Sequence, residues 1–278
     1  MGDIAKEVVG AEVVKSIPPG YLRFLQAYSP IIGACKHAKI DLNRVISHDI
    51  GNHITGVVGG VNSSFDTDEM PDIPQVNLLI QDKNTVFDDE LTSRISRARQ
   101  GLQADSRVRA SLASLAIQPE AIDFVYRPDT LEAFQAMYSM LTDINIDNYE
   151  RMKRVKLPLN EMLAYFGVPL AEGAQASLPD GFSSFALLNF LGNAQEHGAN
   201  GELEFDMKTN KSGTHYRVSN MSKAPWSKEF LDPGIKGPES KGSGMGVALG
   251  IMFAQAGGYD LRVPKEGTKN IEFILSKK

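Results

Sequence analysis

The stretch "SHDIGN" sets a histidine beside an acid, with an amide four residues after the histidine: His48, Asp49 and Asn52. An imidazole whose second N–H is held by a carboxylate keeps a nitrogen lone pair as nucleophile. On residue types alone the pair either lies solvated on a helix face or reacts. A second group stands in "NFLGNAQEHG", where Asn189, Asn193 and His197 follow at steps of four and line one edge of an otherwise apolar helix. Such amides serve equally to cap or to solvate that edge. The third group is "KGSGMGVALG", in which Gly242, Gly244 and Gly246 precede a helix. Glycine lets backbone N–H groups approach anionic oxygens at a helix start. No expected strand runs directly into this turn and it lacks a Gly-Lys-Ser/Thr ending, so neither a dinucleotide fingerprint nor a P-loop fits.

The elements that must position these residues are legible in outline. Ile40, Val45, Ile46, Ile54, Val57 and Val58 recur mostly at three- and four-residue steps, which predicts a long helix from about 32 to 60, broken near its start by Pro30 and ended by Gly59 and Gly60. A second long amphipathic helix is expected over 131–152, with Leu131, Phe134, Met137, Met140, Leu141 and Ile144 on one face. Two such stripes are expected to pair, and to do so in a dimer. Between them, "DDELTSRISRARQGLQ" and "SRVRASLASLAI" read as helices in a region, 66–129, that offers no site. After residue 155 the texture changes: a short helix, a strongly apolar one, and two strands "GELEFDMKTN" and "THYRVSN" joined by a turn with Asn210 and Gly213. A glycine- and lysine-containing loop, the helix "GVALGIMFAQAGG" and two closing strands complete the chain. Helices and antiparallel strands segregated in this way indicate an α/β sandwich over 156–278.

This succession, an Asn-bearing helix, two strands ending in "VSN", a loop, the "GSGMG" turn with its helix and a final strand pair, resembles the catalytic ATP-binding domain of sensor histidine kinases. "LLNFLGNAQEHG" looks like their N box, "GSGMGVALG" like their G2 box and "SHDIGN" like their H box. The resemblance implies an α plus α/β fold. A segment 1–25 would precede a helical-hairpin domain, 26–155, that carries the 66–129 insertion and forms a four-helix bundle on dimerisation. The ATPase-like α/β sandwich, 156–278, would follow. It further implies that Asn193 is a ligand of Mg²⁺, that Asn189 sits near the phosphates of ATP and His197 beside the nucleotide, and that Gly242, Gly244 and Gly246 approach the phosphates. His48 would accept the phosphoryl group, Asp49 would orient and activate it, and Asn52 would align a water for the reverse reaction.

The chain departs from the family pattern at several positions. Asn189 stands where hydrolytic members of the wider superfamily carry a glutamate base, which favours transfer over hydrolysis. Asn220 stands where the G1 box has the aspartate that accepts from the adenine amino group, with Ser222 and Ala224 in place of its glycines. A neutral acceptor makes roughly half as strong a hydrogen bond as a charged one. Glu196 takes a place often held by a basic residue, and Gly51 and His53 replace the arginine and proline common after the H-box histidine.

Composition bounds the function. A net charge of −5 without long blocks of one sign supplies no electrostatic footprint for nucleic acid. The single cysteine, Cys35, excludes an intrachain disulfide, and no apolar run reaches the length of a membrane span. The opening "MGDIAKEVV" contains acids and no signal-peptide core, so a cytoplasmic location is expected. The resulting expectation is a homodimeric histidine kinase that autophosphorylates His48 from Mg-ATP and passes the phosphoryl group to an aspartate of a response-regulator receiver domain. The alternative is a histidine phosphotransferase or response-regulator phosphatase whose degenerate C-terminal domain binds no ATP.

Overall fold

A computed structural model describes residues 17–39, 41, 57–66, 68–69, 73–168, 178–211, 213–237, 240 and 243–277. The helices ahead of the sheet are α1 (Pro19–Ala38), α2 (Val76–Gln81), α3 (Asp89–Ala104), α4 (Ser106–Ser114), α5 (Glu120–Val125), α6 (Pro128–Thr142), α7 (Ile146–Arg154), α8 (Leu159–Tyr165) and α9 (Gly181–His197). Strands β1 (Gly198–Asn210) and β2 (Gly213–Ser222) follow, then a 3-10 turn at Lys228–Leu231, α10 (Gly246–Ala256), β3 (Asp260–Arg262) and β4 (Asn270–Lys277). The described chain is thus helical with one antiparallel sheet, ordered β1-β2-β4-β3.

The sheet turns one face to the helices. Tyr216, Val218 and Asn220 of β2 and Ile271, Phe273 and Leu275 of β4 alternate inward and are buried. Helix α9 packs on this face and against α10, with Phe190 stacked on Phe273 at 4.4 Å and Phe185 beside Phe253 at 5.7 Å. The opposite face carries a charge ladder. Arg217 donates to Glu272 (2.6 Å) and reaches Glu204 (3.5 Å), while Arg262 also donates to Glu272 (2.9 Å). That alternation is what keeps one face of an antiparallel sheet in water.

The N-terminal helix departs from expectation. It spans Pro19–Ala38 rather than starting near 32, contains Pro30 in its interior, and stops at Lys39, whose φ of 54° is left-handed. Proline costs one backbone hydrogen bond. Phe24, Tyr28, Ile31 and Cys35, at steps of four, three and four, bury a stripe that outweighs that loss, and the helix packs on α10. Residues 57–62 are helical again. The intervening part of the expected helix lies outside the described residues.

The single helix expected over 131–152 is two. Helix α6 ends at Thr142 and α7 begins after Asn145, whose side chain caps it by accepting from Asn148 N at 2.9 Å. An asparagine cap competes successfully with helix continuation because Asn148 Nδ2 also donates to Asp143 O (2.8 Å). Nor does α6 offer a free stripe. Thr130, Leu131, Phe134, Gln135, Met137, Met140 and Leu141 are all buried within this one chain, and Ile144 beyond it is 37 % exposed. Phe134 meets Phe185 of α9 edge-on at 5.4 Å, Tyr149 of α7 meets Phe182 at 5.2 Å, and Leu157 N donates to Ser184 Oγ at 3.1 Å. Tyr28 of α1 donates to Leu141 O (2.8 Å). One hydrophobic cluster therefore runs from α1 through the middle helices to β4.

Candidate functional site

A cleft of about 390 Å³ opens between the C-terminal half of α9, the ends of β2 and β4, the segment 222–226 and the start of α10. Its size falls within the range of small-molecule sites, roughly 300–1,000 Å³. Asn189, Asn193, His197, Asn220, Gly244 and Gly246 all line it. These residues lie up to 57 positions apart in sequence (246 − 189), and the fold brings them together because α9 packs both against α10 and on the strand that carries Asn220. Gly242, and with it His48, Asp49 and Asn52, lies outside the described residues.

Helix α9 is positioned from its start. Asp180 caps it by accepting from Ser183 N at 2.7 Å, and its carboxylate also meets Lys277 at 3.0 Å. Towards the cleft, Asn189 Nδ2 donates to Phe185 O and Asn193 Nδ2 donates to Asn189 O, both at 2.7 Å. These back-bonds occupy the amide nitrogens and leave the amide oxygens as acceptors or cation ligands. Against Asn193 lies the first residue of α10. A Cβ at Gly246 would stand 2.8 Å from Asn193 Nδ2 and 3.3 Å from Oδ1, so only glycine permits this approach.

The turn before α10 is closed on itself. Gly234 N donates to Gly244 O at 3.1 Å, and Gly244 has φ +75° with the backbone of Gly234 2.9 Å from where its Cβ would be. This clamp sets the loop that walls the cleft opposite α9.

The remaining wall is aromatic, and it is what sequence reasoning missed. Trp226 stands edge-on to Phe273 (5.5 Å) and to Phe230 (5.6 Å), and Tyr165 and Phe166 close the cleft from the end of α8. Burial pushes the Tyr165 phenol up to about 12, so it stays a neutral hydroxyl at physiological pH. The "APW" that ends the divergent segment was a signal in plain view, since this is the one tryptophan of the sequence. Tyr165 and Phe166 carried none, because nothing local ties "AYF" to a strand 55 residues on.

Charge in the cleft is balanced towards cations. Among the described residues Lys223 and Lys236 line it against one acid, Glu196, and all three side chains are exposed. The acid at the rim is thus offset by two lysines that sequence spacing did not bring together. Among the described residues no three His, Cys, Asp or Glu side chains come together as a metal site. Among the described residues Glu196 is the only one that brings a carboxylate to the cleft, and the α9 residue one turn before Asn193 is an amide that cannot act as a base.

No described protein family and no curated protein sequence matches the chain. Among solved structures, full-length ShkA in complex with AMPPNP is similar over 69 % of this chain at 15 % identity, with a TM-score of 0.32. The histidine kinase domain of the Erythrobacter litoralis EL346 blue-light activated histidine kinase is similar over 66 % of this chain and 95 % of its own, at 13 % identity and the same TM-score. The similar part of ShkA is 47 % of that protein. No described helix is long and apolar enough to cross a membrane.

Proposed function

We propose that this protein is a phosphotransferase of the histidine-kinase type. Its C-terminal cleft takes ATP with Mg²⁺, and His48 accepts the γ-phosphoryl group and hands it to an aspartate of a response-regulator receiver domain. The observation that carries this reading is the convergence of Asn189, Asn193, His197, Asn220, Gly244 and Gly246 on one cleft. The residues present fit the ligand. The aromatic wall suits a flat ring, the Asn193 oxygen is a hard donor for Mg²⁺, and Gly246, lacking a Cβ, lets the start of α10 lie against the Asn193 amide. One amide cannot hold Mg²⁺ by itself, so the ion arrives with the phosphates, which supply most of its ligands.

In this reading each residue has a bounded task. Asn193 orients the cation, Lys223 and Lys236 offset phosphate charge, and Asp49 keeps the nucleophilic tautomer of His48. Without a carboxylate base at Asn189, water is not activated and the phosphoryl group is kept for the histidine. The protein acts in the cytoplasm as a homodimer. Calorimetry with Mg-AMPPNP and γ-labelling with ATP test it: binding lost in Asn193→Asp and label lost in His48→Gln support it, and no binding at millimolar nucleotide sinks it.

A second reading draws on Asn220, which is neutral and 5 % exposed where the resembling kinases place a charged acceptor. In it the protein relays phosphate through His48 between receiver domains or dephosphorylates one of them. Label arriving at His48 from a phosphorylated receiver domain, but never from ATP, would select it.

A further inference from the structure

Helix α8 brings Tyr165 and Phe166 to the wall of the cleft, yet it cannot hold itself there. It spans seven residues, and no side chain caps its start. A helix that short is marginal unless other elements hold it. What holds it comes from the 66–129 region, in which the sequence offers no site. Helix α5 packs on α8, with the Phe124 ring 5.4 Å from that of Tyr165. One turn before Tyr165, Glu161 accepts from Arg127 Nη1 at 2.5 Å.

Phe124 is anchored in turn. It is fully buried and meets Phe134 of α6 edge-on at 6.4 Å. Phe134 meets Phe185 of α9 at 5.4 Å, and Phe185 lies 5.7 Å from Phe253 of α10. Rings in contact therefore run from Tyr165, through two middle helices, to the helices that carry Asn193 and Gly246. Behind them, Asp123 of α5 accepts from Gln103 (2.5 Å) and pairs with Arg99 (2.6 Å), both on α3. Residues 120–127 do not line the cleft themselves. They stand between one wall and the scaffold of the other.

We propose that α5 positions the aromatic end of the cleft: Phe124 and the Arg127–Glu161 pair set where Tyr165 stands, so that ligand binding is coupled to the stability of α5. The inference rests on the nucleotide reading above and gives the 66–129 region a task in it. Tyr165 is only partly buried, which leaves its side chain within reach of a ligand. A flat ring that packs on Tyr165 binds best when α8 is seated on α5, and so favours that seating. Such coupling is reciprocal, and a change that loosens α5 weakens the ligand.

The experiment combines hydrogen exchange and calorimetry on the full chain, with Mg-AMPPNP as the probe. Binding should slow exchange of the amides at 120–127 more than those at 106–114, in α4 of the same region. Phe124→Leu should lower Mg-AMPPNP affinity roughly three- to tenfold, the worth of one aromatic contact. Val108→Ala truncates a fully buried side chain of α4 and should leave the affinity within twofold of the parent. If circular dichroism shows Phe124→Leu unfolded, Arg127→Lys replaces it. Lysine keeps the charge and loses the fork that reaches Glu161 and Asp129 together, so affinity should fall in the same sense. Equal slowing at 120–127 and 106–114, or unchanged affinity in the folded variant, overturns the proposal and leaves the nucleotide reading standing. A loss in Val108→Ala as large as in Phe124→Leu also overturns it, because the effect is then a general loosening. No binding of Mg-AMPPNP at millimolar concentration overturns both.

Discussion

Gly246→Ala isolates the contact on which the proposed phosphate end of the cleft depends. The added methyl would lie 2.8 Å from Asn193 Nδ2, 3.3 Å from Oδ1 and 3.4 Å from Cγ. Ordinary contact begins near 3.4 Å, so the amide must retreat by 0.6 Å (3.4 − 2.8) or the start of α10 must move by the same amount. Retreat strains the Asn193 Nδ2 to Asn189 O bond, now 2.7 Å, which is worth about 0.5–1.5 kcal/mol. Alanine recovers up to about 1 kcal/mol of helix propensity over glycine. The two terms nearly cancel, and chemical denaturation should find stability changed by no more than about 1 kcal/mol. Ligand binding has no such compensation, because the displaced group is the one that orients the cation. Losing a charge-assisted contact of about 1.5 kcal/mol or more lowers Mg-AMPPNP affinity at least about tenfold. Calorimetry on parent and variant reads this directly. A folded Gly246→Ala protein that binds Mg-AMPPNP within twofold of the parent would refute the placement of Asn193 at the ligand.

Gln135, fully buried, donates to Asp82 O (2.7 Å) and Thr85 O (3.2 Å) and accepts from Arg151, so Gln135→Ala should cost about 3 kcal/mol by urea denaturation through orphaned partners and a cavity. A loss under 1 kcal/mol would show that the 82–88 loop is held by other means. Pro30→Ala restores a backbone donor in the exposed face of α1 and should raise Tm by several degrees, at about 2–4 °C per kcal/mol for a chain of this size class; a lowered Tm would mean that the proline shapes the helix for its seat on α10. Two carboxylates should respond to pH in opposite senses. Burial, opposed by Arg127, raises Glu161 above its ordinary 4.5, so its favourable contribution is complete below that value and disappears as pH rises through the native pKa. Glu161→Gln should therefore match the parent in acid and equal or exceed its stability at pH 7. Arg217 lowers Glu272, whose contribution is present above 4.5 and is lost as pH falls through the native pKa. Glu272→Gln should be less stable at neutral pH and converge with the parent in acid, and denaturation series across that range check both signs.

Elements whose ends are written in local chemistry were readable from the chain. The helix expected at 88–103 is found at Asp89–Ala104 because Asp88 caps it, accepting from Leu91 N at 2.8 Å. The hairpin turn between Asn210 and Gly213 joins β1 and β2 where the polar residues placed it. The apolar helices at 181–197 and 246–256 and the closing strands followed from composition and alternation. Helix α2 and helix α5, six residues each, fell below what periodicity resolves.

By itself the sequence determined which residues could do chemistry and the face of α9 on which Asn189, Asn193 and His197 stand, since steps of four follow from helix geometry alone. Only the tertiary structure decided what those residues meet. Gly246 at Asn193, and Asn220, Trp226 and Tyr165 brought to one cleft, join segments with no local tie. The same holds for the two largest departures, Pro30 inside α1 and the break at 143–145 in the expected long helix. For Pro30 the buried stripe packed on α10 outweighs a local preference worth a few kcal/mol, while at 143–145 the Asn145 cap stops the helix and the packing of α6 and α7 on α9 fixes the angle of the break.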